Sequence, residues 1–172
     1  MSIEIVNHLP EESWSDFVYQ TRGGNIFHTP EMYEVFSRTE NFSPELWAAV
    51  DKGRILVLLM PVYINLFSSP FLRKITTRAV CFGSALLSEQ PDGRQALKYL
   101  LKEYTGQAGK KAIFSELRNI CDLTWARSFF HQCGFRYEDH LNFLINLEPS
   151  SENIFSRIGA RTRKNIKRAI KK

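Results

Sequence analysis

Five cations within eight residues, Arg161, Arg163, Lys164, Lys167 and Arg168, form the densest charged group in the sequence. On a helix, Arg157, Arg161, Lys164 and Arg168 fall at i, i+4, i+7 and i+11 on one face, with Ile154, Ile158, Ile166 and Ala169 near another. Such a helix docks by its apolar side and offers a cationic stripe to phosphate, whether of a tRNA, a nucleotide-linked or lipid-linked precursor, or anionic headgroups. A solvated terminal face is the plainer account of the same residues. Glu116 and Arg118, with Asn119 beside them, stand near the end of a predicted strand, where a carboxylate and a guanidinium can meet at the rim of a cleft. Exposed pairs of this kind are also common and contribute little. His28 has the right side chain for a general base near neutral pH, or it merely flanks a helix cap at Thr29.

Other chemistries lack their residues. There is no Ser/His/Asp order, no HExxH and no P-loop. Cys81, Cys121 and Cys133 are odd in number and without CxxC spacing, which argues against a disulfide framework and a zinc knuckle and suits buried reduced thiols. Cys133 beside Gly134 sits at a helix end, without the helix N-terminus or cation that would make a nucleophile of it. Gly106 and Gly109 fall at the end of a predicted helix, whereas a pyrophosphate needs free amides at a helix start. The chain is therefore not expected to hold CoA in the standard way, nor any metal.

The elements that must carry these residues follow from periodicity. Residues 2–6 alternate as a half-buried strand. Pro10-Glu11-Glu12 opens a helix burying Trp14, Phe17 and Val18 and stopped at Gly23-Gly24. Thr29-Pro30-Glu31 opens a second, burying Met32, Tyr33, Val35 and Phe36. Leu46–Val50, the turn Asp51-Lys52-Gly53 and the apolar run Ile55–Ile64 form a hairpin whose second strand lies inside the sheet. Pro61 in that strand implies a bulge or a splayed end. Residues 66–77 look like a loop, and Ala79–Leu87 a strand broken at Gly83-Ser84. Leu97, Leu100, Leu101 and Tyr104 recur at helical spacing after Asp92. A strand at Ala112–Leu117, a helix from Asp122 ended by Gly134, a strand at His140–Leu147 and a basic helix from Ser151 complete the order.

The fold class is accordingly α/β (α+β), one mixed, partly antiparallel sheet with helices on both faces, as acyl-CoA N-acyltransferase domains are built. Residues 1–150 make that domain and 151–172 the basic helix. The composition, 44% hydrophobic and 24% charged, excludes disorder. The longest apolar run is too short to span a membrane and no signal peptide is evident, so a cytoplasmic location is expected. Eight basic and no acidic residues lie between Arg157 and Lys172, leaving 15 basic against 18 acidic, a balance of −3, in everything before. The tail alone makes the chain basic.

Several stretches resemble the first domain of FemAB-family transferases, which move an amino acid from charged tRNA onto the peptide of a cell-wall precursor. They are Asn25–Pro30, Leu59-Met60-Pro61-Val62-Tyr63-Ile64, Phe82-Gly83-Ser84, Cys133-Gly134-Phe135 leading into Phe143–Leu147, and Arg161–Ala169. The resemblance implies an aminoacyl- or N-acyltransferase of peptidoglycan or cell-envelope precursors, with aminoacyl-tRNA or acyl-CoA as donor and an amine as acceptor. It further implies that Arg161–Ala169 leads into a second domain of the same fold and that the 172 residues alone are inactive; the sequence leaves the oligomeric state open, with a monomer favoured, and allows a peripheral place at the inner membrane face. A nucleic-acid or anionic-surface binding module built on the basic helix is the alternative.

Overall fold

The computed structural model describes residues 2–67, 70–120, 122–140 and 150–171, in two compact units, Met1–Glu138 and Asp139–Lys172. In the first unit β1 (Ile3–Val6), α1 (Glu11–Gln20) and α2 (Pro30–Ser37) come first. Thr29 caps α2, its hydroxyl accepting from the Met32 amide at 3.2 Å, as its position before Pro30 predicts. The α1 face carries Trp14 and Val18 inward, while Val35 of α2, expected inside, is 55% exposed. Phe36 supplies the buried contact there.

Six strands follow: β2 (Phe42–Pro44), β3 (Trp47–Asp51), β4 (Arg54–Leu59), β5 (Val62–Ile64), β6 (Arg78–Cys81) and β7 (Ala85–Leu87). The helix α3 (Pro70–Thr76) lies between β5 and β6, where the sequence suggested only loop. The β3–β4 hairpin turns on Lys52 and Gly53, with φ of 50° and 81°, the doubly left-handed pair that a two-residue hairpin favours. After β7 come α4 (Pro91–Ala108), β8 (Ser115–Leu117), which begins three residues later than expected at Ala112, and α5 (Arg127–Gln132). Gly134, φ 85°, ends α5, and the Phe135 amide returns to the Phe130 carbonyl at 2.9 Å.

The expected single sheet is two four-stranded sheets, ordered β1-β3-β4-β7 and β2-β5-β6-β8. The reason is that three long strands break at one level. β2 passes to β3 after Pro44, β4 to β5 at Met60-Pro61, and β6 to β7 at Phe82-Gly83-Ser84. The expected irregularity at Pro61 is thus the seam between sheets. Among the described residues all pairings are antiparallel except β6 with β8, which is parallel. Helices cover both faces. On one, Leu97, Leu100, Leu101 and Tyr104 of α4 pack on Ala49, Val57 and Leu59; on the other, Trp14, Val18 and Phe36 pack on Ala48, Leu58 and Val80. Each such large apolar side chain contributes roughly 1.5–3 kcal/mol by leaving water.

The second unit contains α6 (Ser151–Arg157) and α7 (Ala160–Ile170). One continuous basic helix was expected, but Ile158 is extended (ψ 140°) and Gly159 starts a new helix. The Ser150 hydroxyl caps α6 by accepting from the Asn153 amide. The strand expected at His140–Leu147 falls, save its first residue, outside the described residues, as does Cys121.

Candidate active site

The break between β6 and β7 leaves backbone donors unused. The parallel ladder runs from the Ala79 amide, bonded to the Phe114 carbonyl at 3.0 Å, to the Arg118 amide on the Cys81 carbonyl at 2.9 Å. The next rung would join the Gly83 amide to the Arg118 carbonyl, and it is not made. Among the described residues neither the Phe82 nor the Gly83 amide has an acceptor. β7 leaves to pair with β4, so among the described residues β7 and β8 are edge strands of different sheets and the ladder is open between them. Two consecutive amides without an acceptor at a strand break can serve an incoming oxygen.

The local sequence enforces this break. Ser84 takes a left-handed φ of 60° and its amide turns back to the Cys81 carbonyl at 3.1 Å. Gly83 faces the His28 ring so closely that a β-carbon there would lie 2.6 Å from Nε2 and 3.1 Å from Asn25 Oδ1. His28 is 1% exposed and ends a short 3-10 turn, Ile26–His28, whose last carbonyl accepts from Trp14 Nε1 at 2.6 Å. Among the described residues neither ring nitrogen has a hydrogen-bond partner, and nor has the buried Ser84 hydroxyl. Burial lowers the His28 pKa to about 4, with the nearby Ser84 and Gly83 backbone opposing the shift, so the ring is neutral at neutral pH.

On the other side of the break Phe82 stacks on Phe36 and Phe27, with centroids 5.4 and 5.7 Å apart. The Arg118 guanidinium stands over the Phe82 ring at 5.2 Å and grips Glu116 through Nε at 2.8 Å. These two side chains are 47% and 40% exposed, at a rim rather than in the core. Asn119 Oδ1 is buried without a partner. The structure therefore gathers His28, Glu116 and Arg118 around one turn. The amides of Phe82 and Gly83 escaped the sequence reading, although the interruption of an apolar strand by Gly83-Ser84 was the available signal.

Helix α4 opens beside the end of β7. Its first turn holds Gly93, where a β-carbon would meet the Ser88 carbonyl at 2.6 Å, and Asp92, bonded to Arg54 at 2.5 Å. The Asp92 carboxylate is held by Arg54, and among the described residues no side chain caps the amides of this helix N-terminus. Among the described residues no group of three His, Cys, Asp or Glu side chains is arranged to hold a metal ion, and no helix is long and apolar enough to cross a membrane. Burial raises the thiol pKa of both Cys81 and Cys133, so neither is a thiolate, even with Lys98 and Lys102 pulling Cys133 the other way.

The basic residues of the second unit divide. Arg163 turns inward, its Nη1 donating to the Ser156 and Ile158 carbonyls at 2.5 and 2.8 Å. Lys167 lies over the Phe155 ring at 5.7 Å. Arg161, Lys164 and Arg168 are exposed on one face of α7. Arg157 sits on α6 and does not continue their stripe.

No family model matches the sequence, and no curated protein matches it. Solved structures do. An acetyltransferase from Trypanosoma brucei superposes with a TM-score of 0.55 at 14% identity, over 84% of this chain and 100% of that one. Glucosamine-6-phosphate N-acetyltransferase from Arabidopsis thaliana gives 0.53 at 10% identity over 86% and 100%. A transcriptional regulator from Bacillus halodurans C-125 gives 0.52 at 15% identity over 84% and 100%.

Proposed function

The fold is that of the acyl-CoA N-acyltransferases, and we propose that this chain is the first domain of a FemAB-like transferase, moving an aminoacyl or acyl group from an activated carrier to an amine. The observation that carries the reading is the pair of unpaired amides at Phe82 and Gly83. The amine nitrogen attacks the acyl carbonyl, forming the C–N bond and placing negative charge on oxygen. The two amides receive that charge, an interaction worth about 10²–10³ in rate per donor in comparable sites. Collapse breaks the bond to the carrier oxygen or sulfur, which leaves protonated. The Glu116 carboxylate, aimed by Arg118, takes the proton from the amine and returns it to the leaving oxygen or sulfur. His28, neutral and enclosed, fixes the turn that presents the amides rather than exchanging protons.

In this reading residues 151–172 lead into a second domain, and Arg161, Lys164 and Arg168 meet phosphates of the tRNA or of the acceptor precursor at the cytoplasmic membrane face. Those same three cations, exposed along one face of α7, are what favours the second reading, a module that binds polyanions without chemistry.

The test is transfer of a labelled aminoacyl or acetyl group to a primary amine, measured in the 172-residue chain and in the chain joined to whatever its natural reading frame encodes past Lys172. Turnover is expected only in the longer protein, and Glu116→Gln is expected to lower kcat about 10²-fold or more with KM little changed. Turnover of acetyl-CoA by the 172 residues alone would overturn the two-domain part. Indifference of kcat to Glu116→Gln would overturn the chemistry.

A further inference from the structure

A second opening lies at the far end of the β2-β5-β6-β8 sheet. It is a cleft of ≈ 760 Å³ beside the starts of β6 and β8 and the ends of α3 and α4. Thr77 on its wall and Phe82-Gly83 at the strand break lie at opposite ends of β6. The two openings are therefore distinct.

The charges in this cleft do not cancel. Arg73, Lys110 and Lys111 line it against a single carboxylate, Glu45, which Lys111 Nζ engages at 2.6 Å. Arg73 and Lys110 have no acidic partner among the described residues. Two helix C-termini meet here, and cations often gather at such ends merely to offset the dipole. That explanation falls short in magnitude. Three cations against one carboxylate leave an excess of two charges, and two helix ends contribute about −0.5 each, so the cleft remains positive by about one charge. The terminal carbonyls are also already bonded, that of Arg73 to the Thr77 amide and that of Ala108 to the Lys111 and Ala112 amides, so they do not recruit the lysines.

Neutral donors complete the lining. The Thr77 hydroxyl lies 2.6 Å from both the Asn65 side-chain oxygen and the Arg73 carbonyl, and Asn65 and Ser43 add neutral polar side chains to the wall. Tyr63, 5% exposed, presents its ring to the cleft, with Lys111 Nζ 5.6 Å from the ring centroid. We propose that this cleft is a binding site for a phosphate monoester, the phosphate held between Arg73 and Lys110 and the remainder of the ligand lying along Tyr63 and Ile113. A dianion with three acceptor oxygens matches two unpaired cations and flanking neutral donors better than a monovalent carboxylate does. The volume lies in the range of small-ligand sites and exceeds what phosphate alone would fill.

The site is independent of acyl transfer, and its test needs no turnover. Glycerol phosphate is titrated into the 172-residue chain by calorimetry at constant ionic strength, and vesicles bearing phosphatidic acid are tested in parallel by sedimentation. Binding of either probe is expected to weaken about tenfold or more in Arg73→Gln and in Lys110→Gln, both surface changes checked for retained fold by circular dichroism. It is expected to be unchanged in Glu116→Gln and in Arg161→Gln/Lys164→Gln/Arg168→Gln. Response to glycerol phosphate identifies a soluble ester as ligand, and response to the vesicles alone identifies a lipid headgroup. Either supports the site. No binding of either probe, binding indifferent to Arg73 and Lys110, or binding lost only with the α7 cations would overturn it.

Discussion

Two neighbouring strands break at the same level of this molecule, one at Met60-Pro61 and the other at Phe82-Gly83-Ser84, with different consequences. At the first, Pro61 has no N–H to leave unpaired and its carbonyl accepts from the Glu45 amide at 2.8 Å, so that only the Met60 amide before it lacks an acceptor among the described residues. At the second, the bending residues keep their amides and lose their partners. The first break is a seam between sheets. The second is a seam that also presents two donors. A strand interruption becomes a candidate site only when it leaves polar groups without partners.

The comparison is broken most severely by adding a methyl group at the second seam. Gly83→Ala places a β-carbon against the enclosed His28 ring and displaces the amide. A fall in transfer rate of about 10²–10³-fold is expected, with about 1–3 kcal/mol of stability lost to overpacking. The transfer assay and the urea midpoint measure the two. Adding His28→Ala should restore much of the stability by making room.

A second effect comes from His28 itself. Its pKa is lowered from 6.5 to about 4, so between those values the unfolded chain binds more protons than the folded one. Stability is then full above pH 6.5 and falls as pH drops toward 4, by about 3 kcal/mol in total. Urea unfolding of wild type and His28→Gln across this window should show the wild type alone losing stability through this group. A parallel decline in both would show that the imidazole is not what titrates.

At the first seam the same kind of change is expected to do little. Pro61→Ala loses backbone restriction in the unfolded state, about 1 kcal/mol or less, and leaves transfer within about twofold, since no donor at the second seam moves. The smallest effect is expected in the second unit. Arg161→Ala/Lys164→Ala/Arg168→Ala should leave the unfolding midpoint of the first unit unchanged while reducing the salt dependence of polyanion binding, because each lost phosphate contact releases fewer counterions.

The fold was largely legible where periodicity and punctuation agreed. Leu97, Leu100, Leu101 and Tyr104 announced α4, Thr29-Pro30 announced α2, and Lys52-Gly53 announced the hairpin. The helix α3 was not, because its short Pro70–Thr76 stretch lacks a full amphipathic repeat. The division into two sheets was hinted at by Pro61 and Gly83 but depends on three strands bending together, which pairing decides and no single strand's sequence displays. Of the site, His28, Glu116 and Arg118 could be singled out by side-chain chemistry. The Phe82 and Gly83 amides could not, since every residue but proline has one and only the missing rung distinguishes these. Arg163 shows the converse: its charge suggested a ligand, and its geometry caps the end of α6.

The central claim, that the ladder beyond Cys81 is open and its two amides await a carbonyl, is tested most directly by residue-resolved amide hydrogen exchange. In the free chain the Phe82 and Gly83 amides should exchange much faster than those of Val80 and Cys81, and both should slow when a stable analogue of the acyl donor is bound. Amides at Phe82 and Gly83 already as protected as Cys81 in the free chain, or unchanged when the analogue binds, would contradict the account.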